Sequence, residues 1–400
     1  MRRALGFALA LLPACSGTGE VSVPVSAHGP AGAPTDATGA LDGGVSSDAV
    51  FGADRPVPLR PPAGTDAAPS APTRDAARPG PVDGGVDVAV SIDGPPPSLR
   101  DAAPLPPTPD AAAPPPAPLV VAVISDLNGG YGDPTYEAPV HTAVQRIIDV
   151  HPDLVLCAGD MVAGQQGGLD YRAMWRGFHA AVSDPLAAAG IPLAVSPGNH
   201  DASGYGGFEG ERRIYADEWS ARRPAVDFTD DADYPFRYAF TVGQALFVAL
   251  DDTLVGPMGA AGHDWVDARL SDRADLPVKV VFGHVPIRPF TQGREQEILD
   301  DGVLEDLLVA QDVTVFISGH HHGYFPGRHA GLRQVGMPCL GSGSRRLVGT
   351  NTVSPRGLVF FRIEAGGITE LEGYTGGDMT TRIERSSLPA SVGVLTRDDL

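Results

Sequence analysis

From Leu119 onward the chain repeats one pattern: a short apolar run closes abruptly on Asp, Asn or His. Leu119 to Ser125 (LVVAVIS) leads into Asp126-Leu127-Asn128, Leu154 to Cys157 into Gly159-Asp160, and Pro192 to Val195 into Gly198-Asn199-His200-Asp201. Val278 to Phe282 leads into Gly283-His284, and Val313 to Ile317 into Gly319-His320-His321-His322. Runs this short and this rich in Val, Leu and Ile read as strands buried on both faces. Between them lie helical patterns. Pro139 opens one with Val140, Val144, Ile147 and Ile148 on a single face. A second starts at Leu169 with Met174, Phe178 and Val182, and a third carries Val303, Leu304, Leu307 and Leu308. This alternation predicts an α/β fold, in which ligands bind beyond the C-terminal strand ends. All five polar clusters fall at such ends.

The remainder of this region predicts a hairpin over Tyr238 to Leu250 turning near Gly243, then strands around Gln334, Val359 and Ile368. The Gly- and Arg-rich stretch 202–233 is too long for a plain connector and reads as a functional loop or small insertion, a candidate lid. The domain is expected over 119–376, with a loose tail over 377–400. Trp265 is expected to pack a helix against the sheet.

Composition separates this domain from what precedes it. Residues 16–118 hold 22 of the 39 prolines and one aromatic residue, Phe51. Such a segment has too little apolar surface to offset the entropy of ordering, so a disordered linker is expected. Ahead of it, Arg2 and Arg3, the apolar run Ala4 to Leu12 and small residues up to Cys15 form a signal-peptide pattern over 1–15. Leu12-Pro13-Ala14-Cys15 resembles a bacterial lipobox. It predicts an exported lipoprotein anchored to a membrane, in the periplasm or at the cell surface, with ordinary cleavage and secretion as the alternative. Cys157 and Cys339 then read as buried thiols rather than a disulfide.

The net charge of −20 and a single lysine, Lys279, exclude a general nucleic-acid binder. An acidic chain that handles an anionic substrate needs local positive charge, from arginine or from bound cations. Taken singly, each cluster reads as a helix cap or a turn. Five consecutive strand ends offering carboxylate, amide and imidazole together match a two-metal centre.

Their order resembles the calcineurin-like metallophosphoesterase family, whose pattern is DxH, GD, GNH followed by D or E, GH and GHxH. The resemblance spans 120 to about 375. It implies a four-layer α/β/β/α sandwich with two central mixed sheets. It implies hydrolysis of phosphate mono- or diesters by a metal-bound hydroxide, with two divalent ions drawn from Mn, Fe, Mg or Zn. Carried over by position, Asp126, Asn128 and His322 would serve one ion, Asn199, His284 and His320 the other, and Asp160 both. His200 corresponds to the histidine that faces the leaving group, with Asp201 expected to orient its ring. His321 is expected to be solvated or to sit behind the ligands.

The chain departs from the pattern at Asn128, where the family has His. An amide oxygen is a weaker and harder ligand than imidazole, so that ion should bind less tightly and favour manganese, magnesium or calcium over zinc. The purple acid phosphatases also lack this His but carry a Tyr after GD. Gly159-Asp160-Met161-Val162 offers none, which argues against that subfamily. Arg288, Arg345 and Arg346 are candidate clamps for phosphate oxygens, and Arg212 and Arg213 lie in the candidate lid. The substrate class is a small-molecule or exposed organic phosphate ester. The contrasting reading is an inactive surface binding lipoprotein that keeps the fold, with Asn128 as its first loss. The sequence leaves oligomeric state open.

Overall fold

In the computed structural model, residues 117–400 are described, apart from Ala365. The signal-peptide, lipid-anchor and linker expectations for residues 1–116 lie outside the described residues.

The apolar runs become strands β1 (Leu119–Ile124), β2 (Leu154–Ala158) and β3 (Leu193–Ser196). Helix α1 (Ala138–Val150) connects the first two, with proline in its first turn and His151 left-handed at its end. The second helical pattern forms α2 (Tyr171–Phe178) and α3 (Asp184–Ala188), joined by a π-helical turn over His179–Ser183. Two short helices follow β3: α4 (Asn199–Ala202) and α5 (Glu209–Ser220). Then come β4 (Asp227–Asp233), the hairpin β5 (Arg237–Val242) and β6 (Ala245–Ala249), and α6 (Ala260–Ser271). Gly243 turns the hairpin at φ 57°. Next are β7 (Val278–Gly283), α7 (Gly302–Ala310), β8 (Val315–Ser318), β9 (Phe325–His329) and β10 (Leu332–Gly336). The chain closes with β11 (Leu358–Glu364), β12 (Gly367–Thr375), β13 (Thr381–Arg382), β14 (Ser391–Val392) and β15 (Leu395–Arg397).

Two mixed sheets result. One runs β13-β12-β11-β1-β2-β3 and the other β14-β15-β9-β10-β8-β7-β6-β5-β4. Within them β1, β2 and β3 are parallel, as are β6, β7, β8 and β10. Side chains alternate between two burial environments, as the two-residue period of a strand requires. Val121 and Val123 of β1 share a core with Phe247, Val280, Phe282 and Ile317 of the second sheet. Ala122 and Ile124 face the other way, onto Val140, Ile147, Met174 and Trp175 of the helices. Leu246, Val248 and Val281 likewise pack on Val266, Leu304 and Leu308 of α6 and α7. Helix, sheet, sheet, helix is therefore the layer order, the expected four-layer sandwich.

Two segment expectations are corrected. The 202–233 stretch is not a plain loop: α5 buries Tyr215 and Trp219 in the helix-side core and β4 extends the second sheet, so of the two readings the insertion is the one with regular structure. Polar residues disguised it, because α5 buries few apolar side chains and β4 is exposed along one edge. The 377–400 segment is not a loose tail. Val392 and Leu395 are fully buried, and β15 pairs with β9. Its strands are too short for their alternation to register as a pattern. In α7, Leu304 and Leu308 face the core while Val303 is 62% exposed. Trp265 of α6 is half-buried and donates to Asp230 of β4. Cys157 and Cys339 are free and buried.

Candidate metal centre

The C-terminal ends of β1, β2, β3, β7 and β8 meet at one edge of the sandwich. At four positions the chain turns there through left-handed backbone: Asp126 (φ 53°), Asp160 (φ 53°), His320 (φ 63°) and His322 (φ 52°). Non-glycine residues adopt this region at a cost, and such residues cluster where side chains must be aimed at a site. The neighbouring glycines are required by close approach. A Cβ on Gly198 would lie 2.1 Å from the Asp160 amide nitrogen, and one on Gly159, itself at φ 83°, would lie 2.5 Å from His284 Nδ1.

Ligand-type atoms of Asp160, His284 and His320 all lie within 4.8 Å of one another. His284 Nδ1 is 2.8 Å from the Ala158 carbonyl, which only accepts, so Nδ1 carries the proton. Its Nε2 then points toward Asn199 Oδ1 at 3.0 Å and Asp160 Oδ1 at 3.3 Å. Two oxygens thus face one ring nitrogen, an arrangement that calls for a positive charge at that point, from a ring proton or from a cation. His322 repeats the device: Nδ1 donates to the Gly343 carbonyl at 2.9 Å and Nε2 lies 3.2 Å from Asp126 Oδ1. His320 Nε2 lies 3.3 Å from Glu297 and 3.4 Å from Arg294 Nη1. Backbone carbonyls and carboxylates behind imidazoles set tautomer and ring orientation in metal sites.

The electrostatics agree. Burial opposes a charged His284, yet Asp160 and Asp126 outweigh it and raise its pKa to about 10. Burial also opposes ionisation of Asp126 and Asp160, but His322 holds the first below the usual carboxylate range, and His284 with His200 hold the second well below it. His320, buried, falls to about 4 and so offers a neutral ring. The acceptors demand positive charge between them. Carboxylate, imidazole and amide oxygen in this arrangement fit divalent cations.

Of these residues Asp160 and His322 line a cavity of about 200 Å³, together with Asn128, Tyr131, His200, Arg294 and Arg345. Asn128 donates from Nδ2 to the Asp133 carbonyl at 2.7 Å, and its oxygen accepts from Gly130 at 3.0 Å. His200 donates from its backbone to Asp160 at 3.0 Å, and its Nδ1 meets the Gly164 carbonyl at 3.0 Å. Asp201 therefore does not orient the His200 ring, as had been expected. Its carboxylate accepts from Val162 and Gly198 backbone at 2.9 Å each, capping α4. Burial and the neighbouring Asp160 push its pKa up. His321 is not solvated: it is fully buried, accepts from the Phe290 amide and contacts the Glu297 carbonyl.

Of the three expected clamps, only Arg345 lines the cavity. Arg288 is committed to Glu305 at 2.7 Å and Asp300 at 2.8 Å, and Arg346 is exposed outside it. Arg212 pairs with Asp251 and lies over the Phe236 ring. Arg294 and Tyr131 went unnoticed in the sequence. Tyr131 meets the His200 ring edge-on at 5.3 Å and sits three residues beyond Asn128, a proximity that could have flagged it. Arg294 lies in an irregular segment with no signal.

A calcineurin-like phosphoesterase family model matches residues 119–324, just over half of the chain. With the site above, this makes the chain a metallophosphoesterase: it belongs to the calcineurin-like phosphoesterase family. Among curated proteins, none matches it in sequence. Among solved structures it is similar to purple acid phosphatase PPD1 from yellow lupin (Lupinus luteus), at 19% identity and TM-score 0.51, over 66% of this chain and 52% of that one. The chain thus spans about half the length of the lupin protein, and the likeness is one of fold. It is also similar to a dimetal phosphatase from Danio rerio, at 15% identity and TM-score 0.44, over 62% of this chain and 95% of that one.

Proposed function

We propose that this enzyme hydrolyses phosphate mono- or diesters at a two-cation centre. Asp126, Asn128 and His322 would hold one ion, Asn199, His284 and His320 the other, with Asp160 between them. The observation that carries the reading is the convergence of ligand-type atoms of Asp160, His284 and His320, with Asp160 also lining a cavity that Arg345 borders. Divalent cations held there supply an acidified water as nucleophile and positive charge for the phosphoryl oxygens. The family's Mn, Fe, Mg and Zn are the candidates, with the Asn128 side expected to bind more weakly.

The chain's own residues do the rest. His200, its Nδ1 held by Gly164, keeps Nε2 to hold or move the leaving group's proton. Among the described residues the Arg345 guanidinium meets no carboxylate, and its Nε has no hydrogen-bond partner. It is free to bind phosphoryl oxygens. The cavity, about 200 Å³ and open to solvent, has room for a phosphoryl group, which suits a small molecule or an exposed phosphate ester. Lys279 cannot serve: it is buried and donates to the Gln311 carbonyl at 2.7 Å. No specific nucleic-acid binding is proposed. The Arg2-Arg3 and apolar start ending at Cys15 supports export, with a lipid anchor at Cys15 or, failing lipidation, secretion.

The test is hydrolysis of matched nitrophenyl monoester and diester substrates by the full chain, metal-stripped and then given manganese, magnesium, calcium, iron or zinc. Turnover is expected to vanish on stripping and return with metal. No turnover with any metal, despite measurable binding, would overturn the proposal. For Arg345→Gln, KM for the monoester is expected to rise about 10-fold or more, since charge-assisted hydrogen bonds contribute about 1.5–3 kcal/mol. The dianion should lose more than the diester. Equal KM values for wild type and variant would remove Arg345 from substrate binding.

A further inference from the structure

We infer that Gln165 is a positioning residue that holds the Asn199 amide with its oxygen toward His284 and Asp160, and thereby sets the cation affinity of that half of the centre. The inference rests on the reading above that Asn199 is a ligand.

An asparagine amide is nearly symmetric in shape but opposite in charge at its two ends. Only the oxygen end can ligate a cation, so something must distinguish the two orientations. Asn199 Nδ2 donates to Gln165 Oε1 at 2.8 Å, while Asn199 Oδ1 lies 3.0 Å from His284 Nε2. Flipping the amide would set two oxygens against each other at Gln165 and turn N–H groups toward the cation. Both changes are unfavourable, and the first exists only because Gln165 presents an acceptor there.

Gln165 is itself held. Its Nε2 donates to Ser203 Oγ at 3.1 Å, and its backbone donates to Glu211 Oε2 at 3.2 Å. Ser203 is fully buried and Glu211 is 5% exposed, with the Tyr171 hydroxyl on the other Glu211 oxygen. The backbone at Gln165 is left-handed, φ 62°. The preceding residue, Gly164, offers its carbonyl to His200 Nδ1. Two consecutive residues of one irregular segment thus orient two consecutive residues of the site, Asn199 and His200. Gln165 is half-buried and is not among the residues that line the cavity. Its influence on phosphate would pass through Asn199.

The test is calorimetric titration of the metal-stripped full chain with manganese, comparing wild type, Gln165→Leu, Gln165→Glu and Asn199→Ala. Residues that orient metal ligands typically change affinity about 10–100-fold. Gln165→Leu is therefore expected to weaken one binding event by about that factor. Gln165→Glu keeps an oxygen opposite Asn199 Nδ2 and is expected to restore tight binding. Gln165→Ala carries the same expectation as leucine and serves if leucine disturbs the fold, as followed by thermal melting. Binding equal to wild type in both apolar variants, or equal losses in the apolar and glutamate variants, would overturn the inference. If Asn199→Ala also leaves both binding events intact, the ligand reading fails. If Asn199→Ala weakens binding while Gln165→Leu does not, only the positioning role fails.

Discussion

Asp160→Asn is expected to lower kcat by about 10³-fold or more and to reduce metal content per chain. The carboxylate is buried against His284 at 3.3 Å and accepts the His200 amide at 3.0 Å. The asparagine is close in shape, so the surrounding packing should persist while one negative charge leaves the centre. Charge stabilisation of several kcal/mol by the cations converts to factors of about 10³. The check is metal analysis and phosphoester turnover of a purified, folded variant. Metal content and rate both equal to wild type would show that Asp160 does not hold the centre together.

Deleting residues 377–400 is expected to destabilise the domain by about 5 kcal/mol or more, enough to unfold many domains. Val392 and Leu395 are fully buried, and each such side chain contributes about 1.5–3 kcal/mol. Asp398 pairs with Arg333 at 2.8 Å and Arg385 at 3.0 Å. Burial already lowers the Arg333 pKa, and removing its partner leaves a charge in a poor environment, at a cost of about 3–5 kcal/mol. The deletion also uncovers the edge of β9, a template for aggregation. A denaturation midpoint unchanged from the full chain would make the segment dispensable.

The difference between readable and unreadable parts has a physical basis. β1, β2, β7 and β8 are buried on both faces, so they appear as unbroken apolar runs and their ends stand out. β4, by contrast, is Asp-rich, and β14 and β15 are two and three residues long. Their place comes from pairing with partners far along the chain, which local composition does not encode. The same holds for α5, whose Trp219 and Tyr215 are buried among charged neighbours.

At the centre the balance is similar. The ordered motifs resemble the family's pattern, and that resemblance put forward Asp126, Asp160, Asn199, His200, His284, His320 and His322 as candidates; their residue types suit metal chemistry at strand ends. Orientation required the fold. Asp201 is next to His200 in sequence yet serves the backbone of Val162 and Gly198, while Gly164, 36 residues away, holds the His200 ring. Arg288 lies four residues after His284 but turns to Glu305, and Arg294, ten residues after His284, reaches the cavity. The α/β class was legible in the sequence because buried strands and amphipathic helices differ in period, and the family and candidate ligands were legible through the ordered motifs that resemble it. The fold was needed to see which nitrogen His284 and His322 present, that Arg345 beside the cavity meets no carboxylate among the described residues, and that Gln165 backs Asn199. Those depend on hydrogen-bond partners far apart along the chain, which the fold brings together.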